Sequence, residues 1–241
     1  MDNQPLHYKD LGIIDYKSAW DYQETLVKEN LAIKSSARLV TEEQNPLLLP
    51  TMHHLLFCEH PPVYTLGKSG SMKNVLLTQQ QLEDKEIAFF NTNRGGDITF
   101  HGLGQVVGYP ILDLEKFYTD IGRYLRSLEE VIILTLFDYG LEGKRSAGET
   151  GVWLDPQIPG RERKICAMGI RCSRWITLHG FALNVNTDLS YFNNIIPCGI
   201  QNKSVTSLEK ELGISVDMKQ LKEILLANFQ KVFAVDIVGE V

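Results

Sequence analysis

An α/β (α+β) fold, with a mixed β-sheet flanked by helices in one domain spanning residues 1–241, is what this sequence predicts. Three observations carry the prediction. Strand-like runs and amphipathic helical stretches alternate irregularly, which suits a mixed sheet rather than a regular strand–helix repeat. No internal repeat, low-complexity tract or linker divides them. The chain of 241 residues, 44% hydrophobic and 22% charged, is long enough to bury a substantial core.

In chain order, Tyr16 to Ala32 reads as a helix, with Ala19, Tyr22, Leu26 and Val27 on one side and Lys17, Glu24 and Lys28 on the other. A polar loop through Thr41–Asn45 ends at Pro46. Thr51 to Cys58 reads as a strand, and Val63–Gly67 as a second, short one. Within this region His54, Cys58 and His60 share strand parity, yet no second ligand group of suitable spacing accompanies them, so no metal site is expected. Thr78 and Gln81 offer a capping box for a short helix. A strand through Ile87–Phe90 leads into Arg94-Gly95-Gly96-Asp97-Ile98-Thr99-Phe100-His101-Gly102-Leu103-Gly104-Gln105. Four glycines spaced by Arg94, Asp97, His101 and Gln105 make either a turn between strands or a cradle for a small ligand.

Val106–Leu112 reads as a strand, which Pro110 assigns to an edge or a bulge. A helix starts at Thr119 or Asp120 and places Ile121, Tyr124, Leu125, Leu128, Val131 and Ile132 on one face. Gly151–Leu154 is a short strand. Ile165–Cys172 and Trp175–Asn186, divided by Ser173-Arg174, form a hairpin. A Pro197-Cys198-Gly199 turn follows, then a helix from Thr206, boxed with Glu209, to Gly213, and a last helix from Asp217 to about Val232.

Charge and cysteine content narrow the function classes. The net charge of −6 argues against a general nucleic-acid binder. No apolar run has the length of a membrane span, and Met1–His7 has neither the basic start nor the apolar core of a signal peptide, so a cytoplasmic location is expected. Cys58, Cys166, Cys172 and Cys198 contain no CxxC pair and are expected to be free thiols. Cys198 stands apart, because Pro197 fixes the chain before it and Gly199 frees it after, as a turn presenting one side chain requires. Cys166 and Cys172 are expected to pack as small hydrophobes within their strand. A reactive thiol needs a cationic or basic partner, and Lys164, His101 and His179 are the candidates. By strict alternation Lys164 shares a face with Cys166, Met168, Ile170 and Cys172, at the mouth of an apolar surface. It otherwise extends the Arg161-Glu162-Arg163 cluster into solvent.

Four blocks, taken together, resemble the signature of the lipoyl(octanoyl) transferases, the LipB family. They are Arg94-Gly95-Gly96-Asp97-x-Thr99-x-His101-Gly102, Lys164-Ile165-x-Ala167-x-Gly169, His179-Gly180-x-Ala182-Leu183-Asn184 and Pro197-Cys198-Gly199-Ile200. They fall in the family's order between about Glu59 and Leu208. One departure is Leu103, where the family usually has proline. The resemblance implies a fold similar to the catalytic domains of biotin and lipoate protein ligases. It implies transfer of an octanoyl group from octanoyl-acyl carrier protein to a lysine on lipoyl domains of 2-oxo-acid dehydrogenase complexes and on the glycine cleavage H protein. It implies Cys198 and Lys164 as the reacting pair, with no cofactor. Substrate-binding segments map to Arg94, Gly95, Gly96, Asp97, Ile98, Thr99, Phe100 and His101, to Ala167, Met168 and Gly169, and to Gly180, Phe181 and Ala182. The alternatives are an ATP-dependent lipoate or biotin ligase on the same fold and a cysteine thioester hydrolase pairing Cys198 with His101 or His179. Arg161, Arg163, Lys164, Arg171 and Arg174 against Glu162 give this stretch a local charge of +4, expected to form a basic rim that steers an acidic carrier.

Overall fold

Helices cover both faces of one large mixed sheet, and a three-stranded sheet packs around a core of its own. The computed structural model describes residues 3–39, 50–196 and 204–239. The strands are β1 (Gln4–Ile13), β2 (His53–Glu59), β3 (Val63–Leu66), β4 (Ala88–Asn91), β5 (Ile98–His101), β6 (Gln105–Ile111), β7 (Lys144–Arg145), β8 (Val152–Leu154), β9 (Arg163–Ser173), β10 (Ile176–Asn184), β11 (Ser204–Val205) and β12 (Val235–Val238). The helices are α1 (Tyr16–Leu39), α2 (Gln79–Asp84), α3 (Ile121–Asp138), α4 (Leu208–Leu212) and α5 (Met218–Phe233).

The large sheet runs β12-β1-β2-β6-β10-β9-β8-β7, with β11 added in parallel alongside β9, and the small one runs β4-β3-β5. β1 pairs in parallel with β2 and β12, whereas the β2–β6–β10–β9–β8–β7 run is antiparallel. Because both faces are covered, β2 and β6 are buried in nearly every position rather than alternating between core and solvent. Leu55 and Phe57 of β2 join the core formed with α3 and α5, where Tyr124, Leu128, Val131 and Ile132 meet Leu221, Leu225 and Phe229. Leu56 and Cys58 point the other way, toward Ala19, Leu26 and Val27 of α1. Helix starts are capped as their sequences dictate. Asp120 accepts the Arg123 N–H, Asp217 accepts those of Lys219 and Gln220, and Thr78 and Gln81 complete a capping box.

Several expectations are corrected. Pro110 does not sit at an edge: β6 lies between β2 and β10. The β6–β10 ladder stops at the Gly108–Phe181 pair, and a side chain takes over beyond it. The Thr177 hydroxyl donates to Pro110 O at 2.8 Å and accepts the Leu112 N–H at 2.9 Å. The proline's missing N–H is thereby bypassed rather than exposed. Helix α4 is capped by Ser207 rather than Thr206, whose hydroxyl donates to Glu211. Helix α1 continues to Leu39, seven residues past the expected end, where tertiary ion pairs from Lys34 to Asp113 and Glu115 replace the apolar stripe. Strands β1, β7, β11 and β12 were not expected; in β1 only Leu6 is fully buried, so its alternation is too weak to read.

Replacing Thr177 by valine keeps shape and removes both bridging hydrogen bonds. It is expected to destabilise the fold by about 1–3 kcal/mol, the usual cost of orphaning a buried polar group. Denaturant unfolding should show a lower midpoint at an unchanged slope; an unmoved midpoint would refute the bridging role.

Candidate active site

Strands β6, β10 and β9 form the floor of a cavity of about 460 Å³. Register arranges that floor in three successive rungs. Gln105 pairs with Asn184 on the first, and Lys164 lies just past the neighbouring Leu183–Cys166 pair. Val107, Ala182 and Ala167 align on the second. Gly180 pairs with Gly169 on the third, beside Tyr109. The floor therefore passes from polar and cationic to small and apolar. Glycine is required on the third rung by close approach: a Cβ on Gly169 would lie 2.7 Å from Gly95 O, and one on Gly180 would lie 2.1 Å from Gly108 O.

The glycine-rich loop roofs this floor. Gly95 N–H donates to Ile170 O at 2.8 Å, laying the loop directly over β9. Arg94 is 7% exposed and bends back on its own segment. Its guanidinium donates to Gly95 O, to Asp97 O and to the carbonyl and hydroxyl of Thr65. Asp97 likewise works internally, accepting from Asn74 Nδ2 at 2.6 Å and from Ile98 N–H at 2.7 Å. Of the residues mapped by resemblance, Arg94 to Thr99 and His101 line the cavity, as do Lys164, Ala167, Met168, Gly169, Gly180, Phe181 and Ala182. Phe100 does not. It stacks on Tyr191 at 4.5 Å in the core of the small sheet, because alternation in β5 turns it away from His101.

Strict alternation also fails at Lys164. Val152 and Trp153 are adjacent in β8, yet they pair with Cys166 and Lys164, which leaves Ile165 as an extra residue in β9. This bulge puts Ile165 and Cys166 both into the core and frees Lys164 from their face. The Lys164 ammonium lies 4.6 Å from the centre of the Trp153 ring and lines the cavity with Ala167. β11 runs beside it, Val205 pairing with Lys164 and Thr206 N–H donating to Lys164 O. Cys198 lies outside the described residues. Of its described neighbours in sequence, Ile196 N–H donates to Asn74 O, and Ser204 pairs with Arg163.

Both candidate histidines are held neutral. The Gln105 amide nitrogen donates to Phe100 O and Asn184 Oδ1, so its oxygen faces His101 Nδ1, 2.9 Å away. Nδ1 must then carry the proton, and Nε2 faces the Thr65 hydroxyl at 3.3 Å. Burial, and secondarily the nearby Arg94 guanidinium, hold His101 well below the ordinary imidazole value. With both nitrogens committed, His101 has no lone pair left for a thiol. Its neighbour His60 is held between Ile14 O and the Tyr109 hydroxyl, and burial pushes it down to about 4. His179 is fixed through a relay anchored on Glu24, which accepts from Trp20, Arg171 and Asn93. Asn93 therefore turns its oxygen to His179 Nε2 at 2.8 Å. Burial, with Arg94 and Arg171, pushes His179 down to about 3. It lies beyond the third rung, remote from Lys164.

The described cysteines are packed thiols: burial raises Cys58, Cys166 and Cys172 above the ordinary range. The expected basic rim is smaller than its charge count. Arg163 is spent on Glu211 and Asp155, and Arg171 on Glu24. Gln105 of the glycine-rich stretch and Asn184 of the third block line the cavity, and so do Tyr16 and Tyr109, which had not been singled out as its residues. Period-two placement of Gln105, Val107 and Tyr109 was a usable signal; Tyr16, from a distant helix, carried none.

Residues 15–230 match the family model described as the lipoyl protein ligase A/B catalytic domain. The chain is 55% identical over 236 residues to an octanoyltransferase of Christiangramia forsetii, covering 98% of each. To an octanoyltransferase of Flavobacterium johnsoniae it is 56% identical over 237 residues, covering 98% of this chain and 100% of that one. The chain belongs to the octanoyltransferases of the lipoyl protein ligase A/B family. A bi-partite lipoate protein ligase from Thermoplasma acidophilum shares the fold of this octanoyltransferase-family chain, with a TM-score of 0.67 at 16% identity, covering 100% of this chain and 87% of that one.

The neutral histidines make the octanoyltransferase-family fold sensitive to acid. His60 and His179 titrate lower folded than unfolded, so the unfolded chain binds more protons and stability falls as pH drops below about 6.5. Each adds up to roughly 1.4 kcal/mol per pH unit down to its folded value. Unfolding midpoints should therefore decline steadily from pH 7 to pH 5, and His60→Gln should flatten that slope. A profile that is level across this window would contradict the buried neutral assignment.

Proposed function

We propose that the protein transfers an octanoyl group from octanoyl-acyl carrier protein to a lysine of lipoyl domains, including those of 2-oxo-acid dehydrogenase complexes and the glycine cleavage H protein, in the cytoplasm. Cys198 carries the acyl group in transit, and Lys164 manages charge and proton. The observation that carries the reading is the graded floor, which leads from Lys164, Asn184 and Gln105 onto the small residues Ala167, Ala182, Gly169 and Gly180. Such a trough fits a short aliphatic chain whose reacting carbonyl stays at the polar end. Family membership supplies the acyl group.

The Cys198 thiolate attacks the thioester carbon, forming one C–S bond as the carrier's breaks. The Lys164 ammonium stabilises the attacking thiolate and gives its proton to the departing carrier thiolate. Neutral Lys164 then takes the proton of the incoming lysine amine as the C–N bond forms and the Cys198–acyl bond breaks. The thiolate and the ammonium are both restored. Thioester-to-thioester exchange is nearly neutral and the amide lies downhill, so neither ATP nor a cofactor enters. The commitment of both His101 nitrogens to protein partners supports Lys164, rather than that histidine, as the thiol's partner.

Intact-mass measurement after mixing with octanoyl-acyl carrier protein should find one octanoyl adduct, on Cys198, absent in Cys198→Ser. Lys164→Arg retains the charge but not the base. It should accumulate acyl-enzyme while transfer to a lipoyl domain slows at least about 100-fold. An adduct mapped to Cys166 or Cys172 would overturn the assignment.

A further inference from the structure

The polar end of the cavity holds two amide side chains, and their hydrogens are not equally spent. Gln105 and Asn184 pair across β6 and β10, and both line the cavity. The Gln105 amide donates one hydrogen to Phe100 O at 3.2 Å and the other to Asn184 Oδ1 at 2.8 Å. That second bond fixes which way the Asn184 amide faces, because its oxygen must accept. Asn184 Nδ2 donates one hydrogen to Thr206 O at 3.0 Å, and its other hydrogen has no partner among the described residues. At 4% exposure this side chain is sheltered from bulk water while it borders the cavity.

Two connections bring that amide to Lys164. Thr206, whose carbonyl holds Asn184, donates its own N–H to Lys164 O at 2.9 Å. Leu183 pairs with Cys166, so Asn184 and the bulged Ile165 follow that pair on their two strands, and Lys164 comes next. Lys164 and Asn184 thus share the end of the cavity where the acyl-transfer reading puts the reacting carbonyl.

We infer that Asn184 donates its remaining amide hydrogen to the carbonyl oxygen of the acyl group as that oxygen gains charge. The inference rests on the acyl-transfer reading and adds to it the side chain that bears the oxyanion. As the Cys198 thiolate adds to the thioester carbon, the C=O π pair moves onto oxygen, and the Asn184 hydrogen bond stabilises the charge. Collapse re-forms the C=O bond and expels the carrier thiolate, and Asn184 keeps both hydrogens. The same bond serves the tetrahedral adduct made by the acceptor amine. Gln105 is a positioning residue here. By holding Asn184 Oδ1 it keeps the donor turned before substrate arrives, so the reaction needs no reorganisation of the amide.

Asn184→Ala tests the assignment. In single-turnover mixing with octanoyl-acyl carrier protein, acylation of Cys198 should slow about 100- to 1000-fold, the usual cost of one lost oxyanion donor. Alkylation of Cys198 by iodoacetamide displaces iodide without making an oxyanion, so it should keep the parent's rate and pH profile. Acylation within about threefold of the parent would overturn the assignment, and so would alkylation slowing in parallel with it, which marks a structural role alone. A measurement on the parent needs no substitution. Octanal adds to the Cys198 thiol, forming a C–S bond and passing the thiol proton to a tetrahedral oxygen. One Asn184 side-chain amide proton should then move downfield in the NMR spectrum while the one held by Thr206 O stays in place. Two unmoved protons would contradict the inference. If octanoyl-acyl carrier protein leaves no adduct on the parent Cys198, the acyl-transfer reading fails and takes the inference with it, an outcome distinct from slow acylation in the variant alone.

Discussion

The contact on which the site depends is the hydrogen bond from Gly95 N–H to Ile170 O, which presses the glycine-rich loop onto β9. It exists because Gly169 carries no side chain to hold the two backbones apart. Floor and roof become one body through it. The sheet supplies small residues at successive positions, the loop supplies main chain above them, and α1 reaches across with Tyr16. Had alanine stood at 169, its Cβ would have met Gly95 O, and the cavity would have had to open at that point.

Electrostatics in this body is arranged to keep charge at one end. His60 and His101 sit between committed partners, His179 is held at Nε2 by Asn93, and burial keeps all three neutral, so the ammonium of Lys164 faces the described floor without a competing imidazolium. Arg94 is close by, but its donors point into carbonyls of the loop and of β3. A bulge at Ile165 does what regular pleating cannot: it brings Lys164 to the cavity while Cys166 remains in the core. One additional residue in a strand separates the reacting lysine from the packing residues beside it.

Much of this was legible beforehand, for physical reasons that differ by residue. The helices with strong apolar stripes and capping residues, α3 and α5, begin where Asp120 and Asp217 predict. The motif blocks converge on one cavity because each supplies backbone or small side chains at fixed register. What escaped reading depends on partners distant in sequence. Pro110 looked like an edge residue because nothing local announces the Thr177 hydroxyl 67 residues away. Phe100 looked like a cavity residue because it sits inside the motif, whereas its neighbours Tyr191 and Phe192 come from a later segment. Arg163 and Arg171 counted as free charge until Glu211 and Glu24 appeared beside them.

The inward folding of Arg94 also bears on which replacements the loop tolerates. Its fork spans carbonyls from two separate chain segments, so the shape of the roof is encoded in a planar, multidentate group rather than in a positive charge. A lysine at this position would preserve the unit positive charge and still lose the geometry, because a compact ammonium on a flexible stem does not reproduce a planar fork spread over three carbonyls. Position 94 is thus an architectural choice written in the chemistry of recognition. Swaps that look mildest by charge are the ones most disruptive to form.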